Sequence, residues 1–234
     1  MKQADEHKPV RLEEDLSCAR REEILDMATA LFAQHGYSDT ITQDLAERLQ
    51  VGKGTLYRYF PSKRELFLAA VDRVMRRLRE RVDAGLAGVE DPLERVAQAI
   101  REHLAFFAKN PEYVELLIQE RAQFKDRAKP TYFEHRDCNV ERWRALFRGL
   151  ITDGRVRDVP VERITDVLSD LVYGTMFTNY FTGQRKPFDA QVQDLLDIVF
   201  FGILSGSERK GPGPDESSGR SVSLSRPPHR SCHA

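Results

Sequence analysis

The sequence predicts an all-α fold, and three observations carry that reading. No stretch shows the sustained period-two alternation of apolar and polar residues that a half-buried strand would need. Apolar residues recur at helical spacing instead: Ile24, Ala28, Leu31 and Phe32 fall at i, i+4, i+7 and i+8, one face of an amphipathic helix. Breaks follow one another at helix-length intervals, at Gly36, Pro61, Gly85 to Pro92, Asn110-Pro111, Lys129-Pro130, Gly154 to Pro160, and Gly183 to Pro187.

The chain has 234 residues, enough for one large or two small domains with a substantial core. No run approaches the roughly 18 consecutive apolar residues of a membrane span. The polar start MKQADEHKPVRLEED has no secretory apolar segment, so a cytoplasmic location without membrane attachment is expected. Cys18, Cys138 and Cys232 are odd in number and far apart, the pattern of free thiols in a reducing compartment.

Taken in order, residues 1–17 are polar and read as a flexible arm. The first helix runs from about Arg20 to His35, and Gly36 ends it in the left-handed conformation. Thr40-x-x-Gln43 is a capping box, which places the next helix start near Thr40, with Ile41, Leu45, Ala46 and Leu49 facing inward. The turn Gln50-Val51-Gly52 leads to a third helix, Lys53 to Phe60. There Leu56 packs inward, while Lys53, Gly54, Thr55, Tyr57 and Arg58 can face out. Pro61 ends it, and Ser62 caps a longer helix with Glu65 at the matching capping-box position. Gly85, Gly88 and Asp91-Pro92 then mark a boundary, which gives a first domain over 18–85 and a second over 86–206.

The last two helical segments, Val161 to Phe181 and Phe188 to Leu204, are apolar over more than one face. Each is either a central core helix or part of a dimer interface, where the two helices of each subunit would form a four-helix bundle. Beyond Gly206, residues 207–234 are rich in Ser, Pro, Gly and Arg and are expected to be disordered.

Function is carried by Thr40 to Lys63, two short helices across a tight turn followed by a Pro-marked corner. A helix-turn-helix lays its second helix in the DNA major groove, and the residue types here suit that role. Lys53 and Arg58 can reach guanine edges or phosphates, and Thr55, Tyr57 and Tyr59 offer hydroxyls to phosphate oxygens. Lys63 stands at a helix start that also favours a phosphate. Gly54 costs about 1 kcal/mol of helix propensity relative to Ala, which close approach of a partner would offset. The chain's net charge is only −1, but Lys53 to Arg81 holds nine basic and three acidic residues, a local +6. Part of that run, Arg73 to Arg81, is expected to be a solvated helix face.

The stretch Ile24 to Ala70 resembles the N-terminal DNA-binding domain of TetR/AcrR-type transcriptional regulators. The resemblance is carried by Leu31-Phe32-x-x-x-Gly36-Tyr37, Asp44-Leu45-Ala46, and Gly54-Thr55-Leu56-Tyr57-x-Tyr59-Phe60-x-x-Lys63. It implies operator contact by Thr40 or Thr42, Lys53, Thr55, Tyr57, Arg58, Tyr59 and Lys63, with Gln43 and Gly54 on the same surface. It also implies a C-terminal helical ligand-binding and dimerisation domain, and repression of a palindromic double-stranded operator by a homodimer that a small molecule releases. Two departures stand out. The pattern usually has Ala-Gly where this chain has Leu49-Gln50, and Ser where it has Gly52, so Gln50 must take up whatever backbone angle the turn demands.

Candidate effector contacts are the aromatic or polar residues of the middle helices: His103, Phe106, Phe107, Tyr113, Trp143, Phe147, Met176 and Tyr180. Such a set favours a hydrophobic ligand, although buried aromatics more often serve as core. His135 and Cys138 stand at i, i+3 with no third ligand near in sequence, so no metal is expected. No Gly-x-Ser-x-Gly, phosphate-binding Gly-rich loop or His-Glu-x-x-His occurs, and neither a cofactor nor enzymatic activity is expected. The rival reading is a helical small-molecule-binding or adaptor protein without specific DNA binding, against which the intact polar set of the third helix counts.

Overall fold

The helical spacing becomes nine α-helices and no strand among the described residues, which in this computed structural model are 8–202, with side chains from residue 18 onward. They are α1 (Lys8–Asp39), α2 (Thr42–Arg48), α3 (Lys53–Tyr59), α4 (Lys63–Gly85), α5 (Pro92–Lys109), α6 (Pro111–Gln123), α7 (Thr131–Thr152), α8 (Val161–Thr182) and α9 (Phe188–Phe201). Each Pro- or Gly-marked break except Gly36 falls at a junction between two helices. Ser62 and Asp91 cap α4 and α5: Ser62 Oγ accepts from the Glu65 N–H at 3.1 Å, and Asp91 Oδ1 accepts from Leu93 and Glu94 at 2.9 Å.

Four local expectations are corrected. Helix α1 begins at Lys8, inside the stretch expected to be an arm; Leu12, Glu13, Glu14 and Leu16 are good helix formers, and Pro9 suits a first turn. Gly36 does break α1, but at φ 80°, ψ 167°, a region that is essentially Gly-only rather than left-handed helical, and one more turn follows to Asp39. Thr40 is not a cap. Its hydroxyl donates to the Gly36 carbonyl at 2.6 Å, closing the end of α1, and α2 starts at Thr42 behind an extended Ile41. Ile41 therefore points outward and is 57% exposed. The expected tail over 207–234 lies outside the described residues.

Residues through Leu196 pack as one unit, and the chain from Asp197 forms another, described only to Gly202. In the first unit α4 is the spine. Its apolar face (Leu66, Phe67, Ala70, Val71, Val74) joins α1 (Ile24, Leu25, Ala28, Phe32), with Leu45, Leu56 and Phe60 closing the core beneath α2 and α3. An edge-to-face aromatic set continues that core into α6: Phe32 on Phe67 at 5.0 Å, Tyr37 on Phe67 at 5.2 Å, and Tyr37 on Phe124 at 5.0 Å. Where α4 ends against α5, a Cβ on Gly85 would sit 2.5 Å from Glu102 Cγ, so any side chain here would displace Glu102.

Candidate nucleic-acid interface and effector cavity

The turn between α2 and α3 shows how the chain manages without its glycine. The Gln50 N–H donates to the Glu47 carbonyl at 3.0 Å and the Val51 N–H to the Ala46 carbonyl at 2.9 Å, the paired bonds of a Schellman ending. Gln50 supplies the left-handed step at φ 53°, the one non-glycine with positive φ among the described residues. A side chain there costs about 1 kcal/mol or more. Gly52 then stands in extended conformation as the N-cap of α3, and its carbonyl accepts from the Thr55 N–H at 2.9 Å.

Helix α3 buries Leu56 and exposes Lys53, Gly54 and Arg58, with Thr55, Tyr57 and Tyr59 half-buried beside them. Gly54 has nothing within 4 Å of where a Cβ would stand, so its backbone is open to an incoming partner. Lys53 lies 5.9 Å from the Tyr57 ring centre, and the Arg58 guanidinium lies 5.4 Å from that of Tyr59. Gln43 is exposed on α2 and donates to Glu47 at 3.0 Å. Thr42 is buried, with its hydroxyl 3.1 Å from that of Tyr57, so it aligns Tyr57 on the surface. Thr40 is 4% exposed and its hydroxyl is spent on α1 carbonyls, which takes its side chain off the surface. Lys63 Nζ donates to the Ser38 carbonyl at 2.9 Å and lies over the Tyr37 ring. Burial pulls its pKa below the usual lysine value, with Asp39 acting the other way.

The basic run divides along its length. Arg64, Arg73, Arg76, Arg77, Arg79 and Arg81 all meet carboxylates, whereas Lys53 and Arg58 meet none among the described residues. Among the described residues, the cations of this run that meet no carboxylate are Lys53 and Arg58 on α3 and Lys63 at the start of α4, whose ammonium is taken up by the Ser38 carbonyl.

A cavity of about 190 Å³ opens between α4, α5, α7 and α8. Three of the eight candidate contacts line it: His103, Trp143 and Phe147. The other five do not. Phe107 and Met176 are buried in the main core, and Phe106 packs edge-on to Phe107 at 5.2 Å and against Tyr113 at 5.6 Å. Tyr180 is instead joined to α6. Residues missed in the sequence include Tyr132, Asn139, Arg79, Arg136 and Arg142, because only the crossing of α4 and α7 brings them to one wall. His103 keeps some accessible surface, yet protein surrounds it and that surface faces the cavity; burial pushes its pKa down to about 4, so the ring is neutral near pH 7. The Tyr132 hydroxyl lies 3.4 Å from its Nε2. His135 Nε2 lies 2.8 Å from Asp72 Oδ1.

Tyr180 belongs to a chain of bonds that ends at the reading head. Its hydroxyl donates to Glu115 Oε2 at 2.6 Å, and that contact pushes its pKa up to about 12. Glu115 Oε1 accepts from Gln119 Nε2 at 3.0 Å, and Gln119 Oε1 accepts from the Tyr37 N–H at 2.8 Å. Helix α8 is thus linked through α6 to the last turn of α1.

Residues 24–70 match the pattern described as "Bacterial regulatory proteins, tetR family", and residues 89–176 match "Tetracyclin repressor-like, C-terminal domain". The HTH-type transcriptional repressor KstR of Mycolicibacterium smegmatis is 36% identical over 195 residues, covering 82% of this chain and 89% of that one. The chain belongs to the TetR family. The nucleoid occlusion factor SlmA of Vibrio campbellii is 30% identical over 152 residues, 61% of this chain and 74% of its own. Among solved structures, FadR from Bacillus subtilis, in complex with stearoyl-CoA, shares the fold at a TM-score of 0.66 and 18% identity, over 78% of this chain and 99% of that one. As a TetR-family protein this chain is a DNA-binding transcriptional regulator, and α2–α3 is its helix-turn-helix. No helix of the described residues is long and apolar enough to cross a membrane.

Proposed function

We propose that this TetR-family regulator is a cytoplasmic, non-catalytic repressor that acts as a homodimer on a palindromic operator and leaves it when a small molecule fills the α4–α5–α7–α8 cavity. The observation that carries the DNA half is α3 itself, with exposed Lys53 and Arg58 meeting no carboxylate among the described residues and an open Gly54 backbone between them. Operator contact is assigned to Gln43, Lys53, Gly54, Thr55, Tyr57, Arg58 and Tyr59, with Thr42 positioning Tyr57. Lys63 has a smaller share, because its ammonium already serves Ser38. The repressing sense follows the KstR relative, a transcriptional repressor.

Residues 18–85 are assigned to the DNA-reading domain and 86–206 to the effector and dimer domain. Helix α8 leaves Val167 61%, Leu171 38% and Phe181 67% exposed, and the end of α9 leaves Ile198 50% and Phe201 61% exposed. Exposed apolar side chains in such number, on α8 and separately on the end of α9, suit burial against a second subunit. His103, Trp143 and Phe147 are the effector contacts retained from the original eight.

The test is selection of bound sequences from a random duplex library by the purified chain, at a stated salt near physiological. The expected outcome is an inverted repeat whose half-sites lie one or a few helical turns apart. Arg58→Ala should then cost about 1–3 kcal/mol and relax preference at one position of each half-site. Recovery of no motif, with a monomer in solution, would favour an adaptor that binds ligand but not specific DNA.

A further inference from the structure

The cavity is polarised, and its two ends call for two different kinds of ligand group. Its inner wall is apolar, with Val96, Ile100, Phe147 and Val172 all buried. Uncharged polar atoms stand beside that wall: His103, whose burial keeps it neutral, and the buried Tyr132 hydroxyl. The outer wall carries Arg79, Arg136, Arg142 and His135, and no carboxylate of the described residues lines the cavity.

The acids that balance the three guanidinium groups stand behind them, and one is shared between two of them. Arg142 reaches Asp83 at 2.6 Å and Arg79 reaches the same carboxylate at 3.6 Å, so two guanidinium groups divide one negative charge. Both are accessible, with side chains 58% exposed for Arg79 and 42% for Arg142. Arg136 meets Asp137 at 3.2 Å and Asp170 at 4.0 Å, and His135 is held by Asp72 at 2.8 Å. Burial thus falls from Phe147 outward to Arg79, and positive charge rises along the same direction.

The volume adds a constraint. At about 190 Å³ the space lies below the roughly 300–1,000 Å³ of a pocket that encloses a whole drug-sized ligand. It fits one end of a molecule, whose other end must leave past the arginines.

We propose that this cavity takes an amphipathic anion, its apolar end enclosed beside Phe147 and its carboxylate or phosphate held at the mouth by Arg79 and Arg142. The assignment rests on reading the cavity as the effector site. His103 and Tyr132 can hydrogen-bond an uncharged oxygen between the two ends, such as a thioester or ester carbonyl. Guanidinium groups suit either anion, since their fork matches carboxylate and phosphate oxygens alike. A free carboxylic acid and its coenzyme A thioester would therefore present the same chemistry from different sources.

Trp143 makes the test direct, because it is the single tryptophan of the chain and lines the cavity, with the Arg142 guanidinium 5.0 Å from its ring centre. The full chain is titrated with butanoate, octanoate and palmitate, their coenzyme A thioesters, the matching primary alcohols, and coenzyme A alone. Binding is followed by Trp143 fluorescence and by calorimetry. At the best chain length an anionic probe should bind at least about tenfold more tightly than its alcohol. Arg79→Ala and Arg142→Ala should each remove most of that advantage and leave the alcohol unaffected, and Arg142→Lys should restore part of it. Tighter binding of thioesters than of free acids assigns phosphate to the mouth, and the reverse order assigns carboxylate.

Equal binding of alcohol and acid overturns the anionic mouth, equal binding of coenzyme A alone overturns the apolar end, and binding of no probe overturns both. Operator affinity is measured in parallel. Anions that bind as expected without altering operator affinity would sink the effector reading while leaving the ligand class standing.

Discussion

Helix α1, which backs the DNA-reading head, is tied to the rest of the molecule by two joints of different chemistry. Against α4 the joint is ionic. Arg73, with only 9% of its side chain exposed, holds Glu22 at 2.8 Å and Asp26 at 2.7 Å, and Arg77 adds a second bond to Asp26 at 2.5 Å. Against α6 the joint is made of uncharged groups: the Tyr37 N–H on Gln119 at 2.8 Å and Gln123 on the Ser38 hydroxyl at 3.3 Å. Attraction between charges falls off slowly with distance, whereas a neutral hydrogen bond weakens steeply once its angle or length is lost. Small slides are therefore absorbed between α1 and α4 and registered between α1 and α6. The second joint is also the one wired, through Glu115 and Tyr180, to α8, whose Thr165 to Val172 stretch lines the cavity.

The largest effect is expected at the ionic joint. Arg73→Ala removes a nearly buried guanidinium and its bonds to two helix-α1 carboxylates and the Glu22 carbonyl. Breaking a fully buried pair costs about 3–5 kcal/mol. Here Glu22 and Asp26 keep 42% and 53% of their side-chain surface in solvent, so about 2 kcal/mol of global stability is the expected loss. Denaturant unfolding measures it, and a loss below about 0.5 kcal/mol, the range of an ordinary surface substitution, would show that α1 and α4 are held by packing alone.

Gln119→Leu should act more locally. It leaves the Tyr37 N–H without its acceptor, for about 1 kcal/mol, and cuts the line from Glu115 to α1. Amide exchange at Tyr37 should accelerate while the global unfolding midpoint moves less than in Arg73→Ala. The same substitution should shift operator affinity, though its side chain lies far from α3 in sequence. Unchanged Tyr37 exchange would mean that α6 holds the head through Phe124 and the aromatic set, and the contrast between the joints would collapse.

What could be read from the sequence follows the range of the interactions involved. The helix-turn-helix was legible because its evidence is local: Leu45 and Leu56 set the packing face, Pro61 and Ser62 set the corner, and Lys53 to Arg58 fit in two turns. Gln50 was also legible, since a turn that lacks glycine must force some residue to positive φ, and it does so at 53°. Thr40 misled because Thr-x-x-Gln specifies a capping box only if the hydroxyl is free, and here the end of α1 claims it. The cavity was mostly illegible. Aromatic type singled out His103, Trp143 and Phe147, but nothing along the chain tells that Arg79 and Arg142, on different helices, converge on Asp83. Tyr180 looked like a ligand contact for the same reason; its partner, Glu115, is brought by a helix crossing that spacing does not encode.

A third expectation separates the joints by pH. Burial alone would raise the pKa of Asp26, but its bonds from Arg73 and Arg77 outweigh that and hold it below the ordinary carboxylate value of 3.8. A carboxylate with a depressed folded pKa contributes stability that is complete above the unfolded value and is lost as pH falls through the folded one. The ionic joint should therefore hold at neutral pH and weaken only below about pH 3.8. The Gln119 amide does not titrate. Melting temperature followed downward from pH 5 should converge for wild type and Asp26→Asn. A gap that persists unchanged into the acid range would mean that Asp26 acts through packing rather than charge.

The smallest effect belongs to the neutral joint's outer bond. Gln123 donates to Ser38 at 3.3 Å across an exposed edge, a length at which little energy is at stake and water replaces the partner readily. Gln123→Ala should change stability by no more than about 0.5 kcal/mol and leave Tyr37 exchange as it is. That near-silence is informative, because the same chemical group four residues earlier, on the same helix, is expected to control the head. A large response at Gln123 would move the coupling from one side-chain amide to the whole face of α6, and the joint would then work by rigid displacement of a helix rather than by the loss of one bond.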